Sequence, residues 1–237
     1  MHIKKAGLAG TLLAIVTLIT TQYFNKETNQ RSVVHVAKPG LDKQHQRKYL
    51  DSIPIFWNKL YSSGGETLYC GKKFNGNFDR AINIEHVMPM SWAIRKFKCT
   101  DRASCRKRFS EFNRLESDMH NLYPALKNIN RLRGSYPFAI ISGESRQFGR
   151  CDFEISKSRR VVEPRESVRG NIARSILYMH HVYGIKIRTK QGNLLKKWNL
   201  QDLPDNNEKR RNNRIEKIQG NRNPFIDNPE LSDNFNF

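Results

Sequence analysis

The chain has 237 residues, which is long enough for one domain with a hydrophobic core. Its 42 Lys and Arg residues against 22 Asp and Glu give a formal net charge of +20, which favours polyanionic partners and indicates nothing about the fold. The sequence shows no internal repeat, phosphate-binding glycine loop or dinucleotide fingerprint, which argues against those classes of protein. Charge alone does not separate an enzyme from a basic, non-catalytic nucleic-acid or surface binder.

The N-terminus has the pattern of an export signal. Lys4 and Lys5 form a positive n-region, and an apolar run follows from Ala6 to Thr20. At about fifteen residues the run is short for a membrane span, which needs ~20, and it suits a signal h-region. Since no clear cleavage site follows, an uncleaved membrane anchor over residues 6–21 is the alternative. Either way, the pattern predicts a protein of the periplasm or the exterior.

We divide the chain into a signal peptide over residues 1–22, a polar linker over residues 23–44 and one folded domain over residues 45–237. The domain begins with apolar residues at helical spacing: Tyr49, Ile53, Trp57, Leu60 and Tyr61. Pro54 predicts a kink or a late start of that helix. We interpret Tyr49 and Trp57 as core residues rather than platforms for base stacking.

The most informative run is Ile82-Asn83-Ile84-Glu85-His86-Val87-Met88-Pro89, where an acid and an imidazole end an alternating, strand-like stretch. Phosphodiester hydrolysis needs a base to activate water and a metal ion to neutralise charge on the phosphate and leaving oxygen. His86 is the candidate base. Glu85 is a candidate oxygen ligand for a hard cation whose other ligands would be an amide oxygen, phosphate and water. The structural alternatives are an ion pair between Glu85 and a nearby arginine, and a buried, hydrogen-bonded position without a catalytic role for His86.

Two basic clusters flank a catalytic candidate, and together they favour nucleic-acid binding. The first basic cluster comprises Arg95, Lys96, Lys98, Arg102, Arg106, Lys107 and Arg108. The second basic cluster comprises Lys209, Arg210, Arg211, Arg214, Lys217 and Arg222. Side chains of this kind contact phosphates and release counterions, which gives affinity without sequence preference. A solvated face is the alternative for either cluster alone.

Four cysteines fit an oxidising compartment, and they allow three disulfide pairings. In one of them Cys99 and Cys105 close a small loop, and Cys70 and Cys151 tie together the ends of the central region. A structural zinc site is the competing interpretation. It is disfavoured because the chain has no CxxC pair.

Three helices are predicted in the second half of the chain. Pro124 suits the first turn of a short helix that would carry Asn130, an amide whose commonest use is to cap or bridge a turn. Residues 170–183 predict an amphipathic helix that Gly184 ends, with His180 and His181 in structural or exposed positions. Asp205 predicts a capping box that opens a basic helix ended by Gly220.

Four ordered segments resemble the bacterial endonuclease I family of periplasmic and secreted nucleases, over roughly residues 45–230. They are Glu85-His86-Val87-Met88-Pro89, the run 116–122 together with Asn130, the runs 163–164 and 169–174 with Tyr178-Met179, and the run 219–227. A lone Glu-His pair would be weak, whereas four segments in order are a strong signal. Lys72 departs from the family, whose members often carry a cysteine there.

The resemblance implies an α+β fold, a mixed and largely helical single domain, with a ββα-metal (His-Me finger) active site. It implies that His86 is the general base and that Glu85 and Asn130 bind a divalent cation, usually Mg²⁺, with other divalent cations as alternatives. It further implies that Glu116, or its backbone, orients His86 and that Arg102 contacts the scissile phosphate.

These residues and the resemblance together predict an exported, metal-dependent, sequence-non-specific endonuclease that acts on DNA, with RNA as a further candidate substrate. The resemblance also implies that an activated water attacks phosphorus and leaves a 5′-phosphate. We expect a monomer without a stable protein partner. The alternative function is a non-catalytic, exported, basic DNA-binding protein.

Overall fold

The structure is a computed structural model that describes residues 47–76, 79–143 and 147–237. The predicted signal peptide or anchor and the predicted linker, residues 1–22 and 23–44, lie outside the described residues. Within the described ranges, no helix is both long and apolar enough to cross a membrane.

The domain begins with helix α1 (Tyr49–Ile55), which continues directly into a π-helical turn (Phe56–Leu60). Pro54 lies inside α1 and lacks the backbone N–H that an α-helix uses there, so the regular ladder is interrupted shortly before the π-helical turn. Phe56 and Leu60 are buried. The predicted helical spacing is confirmed. A late helix start at Pro54 is wrong, because α1 already begins at Tyr49, and the departure from regular α-helix follows Pro54 as the π-helical turn.

Six short strands form three antiparallel pairs in the part of the chain that the structure describes. The pairs are β1 (Gly65–Glu66) with β2 (Lys73–Phe74), β3 (Ile82–His86) with β4 (Leu122–Leu126), and β5 (Phe153–Ser156) with β6 (Val161–Pro164). The β3–β4 pair is the one that matters for function, because β3 ends on Glu85 and His86. In its register Glu85 lies opposite Tyr123 and His86 lies opposite Leu122.

Three helices separate β3 from β4: α2 (Met90–Phe97), α3 (Arg102–Arg108) and α4 (Ser110–Ser117), followed by a 3₁₀ turn (Met119–Asn121). Helix α5 (Lys127–Arg133) begins immediately after β4 and carries Asn130 as predicted. The position predicted for Pro124 is wrong, since it lies in the middle of β4, opposite Ile84. A strand of a two-stranded ribbon has one edge outside the ladder, where proline removes no ladder hydrogen bond, and the Pro124 carbonyl there accepts from Leu68 N–H at 2.8 Å.

Helix α6 (Arg169–Tyr183) is the centre of the core. Eleven of its fifteen residues are buried, so it is covered on most sides and is not the amphipathic helix that its spacing predicted. Its end at Gly184, in the left-handed conformation with φ of 61°, is confirmed. Helix α7 (Thr189–Gln201) packs along it.

The C-terminal part contains α8 (Asn206–Gln219), α9 (Pro224–Asp227) and a 3₁₀ segment (Pro229–Asn234). Asp205 caps α8 by accepting the backbone N–H of Glu208 at 2.7 Å, and Gly220 ends the helix with φ of 83°, both as predicted. The Glu208 side chain does not complete the predicted capping box, because its carboxylate binds the guanidinium of Arg174.

Two disulfides, Cys70–Cys151 and Cys99–Cys105, realise one of the three pairings that the sequence allowed. The first joins the loop before β2 to the residues before β5, and the second ties the end of α2 to α3. The zinc alternative is wrong, because all four cysteines are in disulfides. With its helices and three small sheets, the described part of the chain has the mixed, largely helical architecture that was expected.

Candidate active site

His86 ends β3 with a buried imidazole that is 8% exposed. Its Nε2 lies 2.9 Å from the backbone oxygen of Glu116. Because a carbonyl oxygen only accepts, Nε2 must be the nitrogen that carries the hydrogen, and the neutral ring then has a lone pair on Nδ1. Burial, together with the nearby charge of Arg102, lowers the pKa of His86 to about 4. The imidazole is therefore neutral at neutral pH and can accept a proton at Nδ1.

Glu116, on α4, supplies that carbonyl and also holds two arginines of the first basic cluster. Arg106 donates to both carboxylate oxygens, from Nε at 2.6 Å and from Nη2 at 2.7 Å, and Arg102 Nε donates at 2.7 Å. Burial raises the pKa of Glu116, but the hydrogen bonds and charges of the two arginines outweigh it and hold the pKa below its usual value. The charged clamp fixes the last turn of α4, and with it the carbonyl that orients His86.

Glu85 is 3% exposed and directs its carboxylate towards two buried groups. Tyr69 donates its hydroxyl to Glu85 Oε1 at 2.6 Å, and Arg133 Nη1 lies 3.0 Å from the same oxygen. Burial raises the pKa of Glu85 despite the opposing charge of Arg133. Glu85 is thus paired with an arginine, which was its structural alternative. Any cation bound at this carboxylate would share it with the Arg133 guanidinium.

Asn130 projects from α5 back towards β3. Its amide nitrogen donates to Asn83 Oδ1 at 2.9 Å and to the backbone oxygen of Ile84 at 3.3 Å. These bonds fix the amide so that its oxygen, which accepts no hydrogen bond from the described residues, is the end available to a ligand. Asn130 is therefore held beside the strand that carries Glu85 and His86.

A divalent cation fits this donor set on chemical grounds. The described residues contain no group of three or more His, Cys, Asp or Glu side chains that could enclose a metal ion. Mg²⁺ does not need such a cage, since it usually keeps several waters and binds through one or two carboxylates plus substrate phosphate. One carboxylate from Glu85 and one amide oxygen from Asn130 match that requirement.

Tyr49 is a site residue that the sequence did not reveal. Its ring centroid lies 5.0 Å from that of His86, and the guanidinium groups of Arg102 and Arg106 lie 5.4 and 5.9 Å from the same ring. Helical spacing placed Tyr49 on the apolar face of α1, and that pattern favoured a position in the core. Tyr69, Arg106 and Arg133 were likewise not predicted at the site, and their contacts with it span at least ten residues along the chain.

The second basic cluster is only partly available to phosphates. Arg211 is buried and donates to the backbone oxygens of Met119 and Leu122, and Arg222 forms ion pairs with Asp227 and Glu216. Arg211 therefore does not belong to an exposed basic face, because its side chain is buried beneath the surface of α8. The four other basic side chains of the cluster are exposed: Lys209, Arg210, Arg214 and Lys217.

Comparison with known proteins identifies the family of the chain. The model of the Endonuclease I family matches residues 12–230. An extracellular deoxyribonuclease of Aeromonas hydrophila is 39% identical over 72% of this chain and 84% of its own length, and a periplasmic deoxyribonuclease of the same organism is 39% identical over 71% and 81%. An extracellular ribonuclease of Bacillus amyloliquefaciens is 36% identical over 49% of this chain and 45% of its own. The resemblance seen in the four sequence segments is confirmed, and the chain belongs to the endonuclease I family of endonucleases.

Proposed function

We propose that the chain is an exported, metal-dependent, sequence-non-specific endonuclease that hydrolyses phosphodiester bonds of DNA and leaves 5′-phosphate ends. The observation that carries the proposal is the hydrogen bond between His86 Nε2 and the backbone oxygen of Glu116. It assigns the proton to Nε2 and leaves Nδ1 as a base, next in sequence to a carboxylate suited to a cation.

In this proposal β3, β4 and α5 form a ββα-metal unit. Its support is the antiparallel register of β3 and β4, the start of α5 directly after β4, and the bonds that hold Asn130 against β3. Glu85 and Asn130 would hold the cation, for which we favour Mg²⁺. When bound, the cation would neutralise charge on the phosphate and on the departing oxygen.

The protein residues perform the proton transfer and the positioning. His86 Nδ1 accepts a proton from water as the water oxygen forms a bond to phosphorus and the bond to the 3′ oxygen breaks, and the departing 3′ oxygen takes up a proton from solvent to become a hydroxyl. Glu116 positions two groups at once, His86 through its carbonyl and Arg102 through its carboxylate. Arg102, whose side chain is 39% exposed, contacts the scissile phosphate with the part of its guanidinium that faces solvent.

Export is part of the proposal. The signal-like residues 1–22, the linker 23–44 and the nuclease domain 45–237 are proposed from the sequence, and two disulfides support an oxidising compartment. Relatives named as extracellular and periplasmic point the same way. Relatives named as deoxyribonuclease and ribonuclease make DNA the first substrate to test and RNA the second. We propose that the protein acts as a monomer.

Digestion of a plasmid and a matched RNA by the purified protein tests this function. We expect Mg²⁺-dependent degradation to a smear without discrete bands, and fragments that polynucleotide kinase labels only after phosphatase treatment, because their 5′ ends carry phosphate. Discrete bands would contradict the lack of sequence preference. Retarded but intact plasmid would instead indicate a basic, non-catalytic DNA-binding protein.

A further inference from the structure

A basic cavity is lined by residues other than those assigned to the candidate active site. Its volume is about 690 Å³, within the range of sites that hold small organic ligands. It is lined by the β1–β2 hairpin, the first half of α8 and the segment around Arg165. The lining includes neither His86 nor Asn130, although Tyr123, which lies opposite Glu85 in the β3–β4 register, forms part of it. We call it the α8 cavity.

The charge of the α8 cavity is positive. Five basic residues line it: Lys73, Arg165, Arg210, Arg211 and Arg214. Three acids line it as well, but two of them are engaged elsewhere. The Glu208 carboxylate binds Arg174, and Asp205 Oδ1 accepts the N–H that caps α8. The Arg174 charge balances Glu208, so Asp205 and the exposed Glu66 oppose five cations, and the remaining excess of positive charge favours an anion.

Arg211 gives the strongest indication of a ligand. Its side chain is buried, with the guanidinium 3.8 Å from the ring centroid of Tyr123. Its Nε donates to the Tyr61 hydroxyl and its Nη2 donates to two backbone oxygens, whereas Nη1 has no hydrogen-bond partner and no carboxylate pairs with this arginine in the described residues. A buried donor without an acceptor is costly, and an oxygen of a bound anion would satisfy Nη1.

Aromatic rings in the same walls suggest what the anion is attached to. Tyr61 and Phe74 line the cavity, are partly exposed, and have their ring centroids 6.1 Å apart. Gly65 allows the Tyr61 ring to lie close to the backbone of β1, because a Cβ at residue 65 would be only 3.1 Å from that ring. Aromatic faces stack on nucleobases of any sequence, and arginines bind phosphate.

We propose that the α8 cavity binds a nucleoside monophosphate, either free or as the end of a strand, with its phosphate on the arginines of α8 and its base against Tyr61 and Phe74. This site is separate from the proposed cleavage centre and does not need the cation. Because the phosphate chemistry is shared with inorganic phosphate, the test must separate the two sources.

Binding is measured by titration calorimetry on the purified protein in EDTA, with dAMP, deoxyadenosine and inorganic phosphate as the three probes. We expect dAMP to bind saturably, deoxyadenosine not to bind, and phosphate to compete with dAMP only at higher concentration. Equal affinities for phosphate and dAMP would overturn the nucleotide assignment, and failure of dAMP to bind would overturn the site.

The decisive variants lie on one helix and remove equal charge. Arg210→Gln/Arg214→Gln removes two exposed cations from the cavity, whereas Lys209→Gln/Lys217→Gln removes two exposed cations of α8 that do not line it. We expect the first pair to weaken dAMP binding about tenfold or more and the second by less than about twofold, since hydrogen bonds to charged groups are local. Equal weakening by both pairs would show a general charge effect and overturn the proposal.

A third variant tests the aromatic wall. Tyr61→Leu should reduce the preference for dAMP over phosphate, and an unchanged preference would contradict the assigned pose. Because all titrations are done without metal, the outcome is independent of nuclease activity. Binding without cleavage would refute the proposed function alone, and cleavage without binding would refute the α8 cavity alone.

Discussion

Arg133 Nη1 lies 3.0 Å from Glu85 Oε1, and both side chains are almost completely buried. Arg133 also donates to the backbone oxygens of His86 and Val87, at 3.2 and 2.6 Å, so one guanidinium joins α5 to the end of β3. The same carboxylate is our proposed cation ligand. Arg133 is therefore both a positioning residue for the candidate site and the local counterion of Glu85 when no cation is bound.

This relationship predicts a stability that depends on metal. Arg133→Met should lower the free energy of unfolding by about 3–5 kcal/mol in EDTA, because it leaves the Glu85 charge buried without a counterion, although the Tyr69 hydroxyl still donates to it. Mg²⁺ should then stabilise the variant more than the wild type, since the cation replaces the lost charge. Urea unfolding with EDTA and with Mg²⁺ measures both effects. The control is Arg131→Met, an exposed arginine of the same helix, and equal stabilisation of all proteins by Mg²⁺ would contradict the shared site.

The Glu116 clamp predicts a loss of activity without loss of the His86 contact. Glu116→Gln keeps the backbone carbonyl that accepts from His86 but removes the charge that holds Arg102 and Arg106. We expect kcat/KM to fall about tenfold or more, since hydrogen bonds between charged groups contribute roughly 1.5–3 kcal/mol. Glu111→Gln on the same helix is the control, because it alters only an exposed pair with Lys96. Similar losses in both variants would indicate a general charge effect.

The Cys99–Cys105 disulfide should couple activity to redox conditions. Cys105 lies on α3 between Arg102 and Arg106, so the disulfide restrains the helix that supplies both arginines to Glu116. We expect reduction, or the Cys99→Ser/Cys105→Ser variant, to lower the cleavage rate while circular dichroism still shows a helical fold. Activity that dithiothreitol leaves undiminished would show that α3 does not need the restraint.

Affinity for DNA should weaken steeply with salt. Each phosphate contact contributes a slope of about −0.9 in a plot of log affinity against log salt concentration. Removing Lys107 and Arg108 from the first basic cluster, as Lys107→Gln/Arg108→Gln, should make that slope shallower by about 2 if both contact phosphate. Fluorescence anisotropy of labelled DNA, in EDTA to prevent cleavage, measures the slope. An unchanged slope would place both side chains outside the DNA contact.

Local signals in the sequence predicted several elements well. β3, α6 and α8 were predicted because alternation, helical spacing, the Asp205 cap and left-handed glycines act over a few neighbouring residues. Asn130 was placed on its short helix in the same way. Pro124 shows the limit of such signals, since proline suits both a first helical turn and the free edge of a strand.

Side-chain relationships across the fold were not predictable from local patterns. The contact of Tyr49 with His86, the pairing of Arg133 with Glu85 and the burial of Arg211 each join elements far apart in the chain. A basic residue in a charged run has the same local sequence whether it reaches solvent or enters the core. The family segments predicted the site residues. The tautomer of His86 follows only from its hydrogen bond to Glu116, a residue that the fold brings next to it.

The most direct test of our central claim is the Mg²⁺-dependent cleavage rate of the His86→Ala variant, measured beside the wild type in one plasmid digestion. Removal of a general base should lower the rate by about 10²–10⁴-fold, while thermal unfolding shows that the variant remains folded. In EDTA, cleavage by the wild type and by the variant should both stop. A folded His86→Ala variant that cleaves at the wild-type rate would contradict the assignment of His86 as the base.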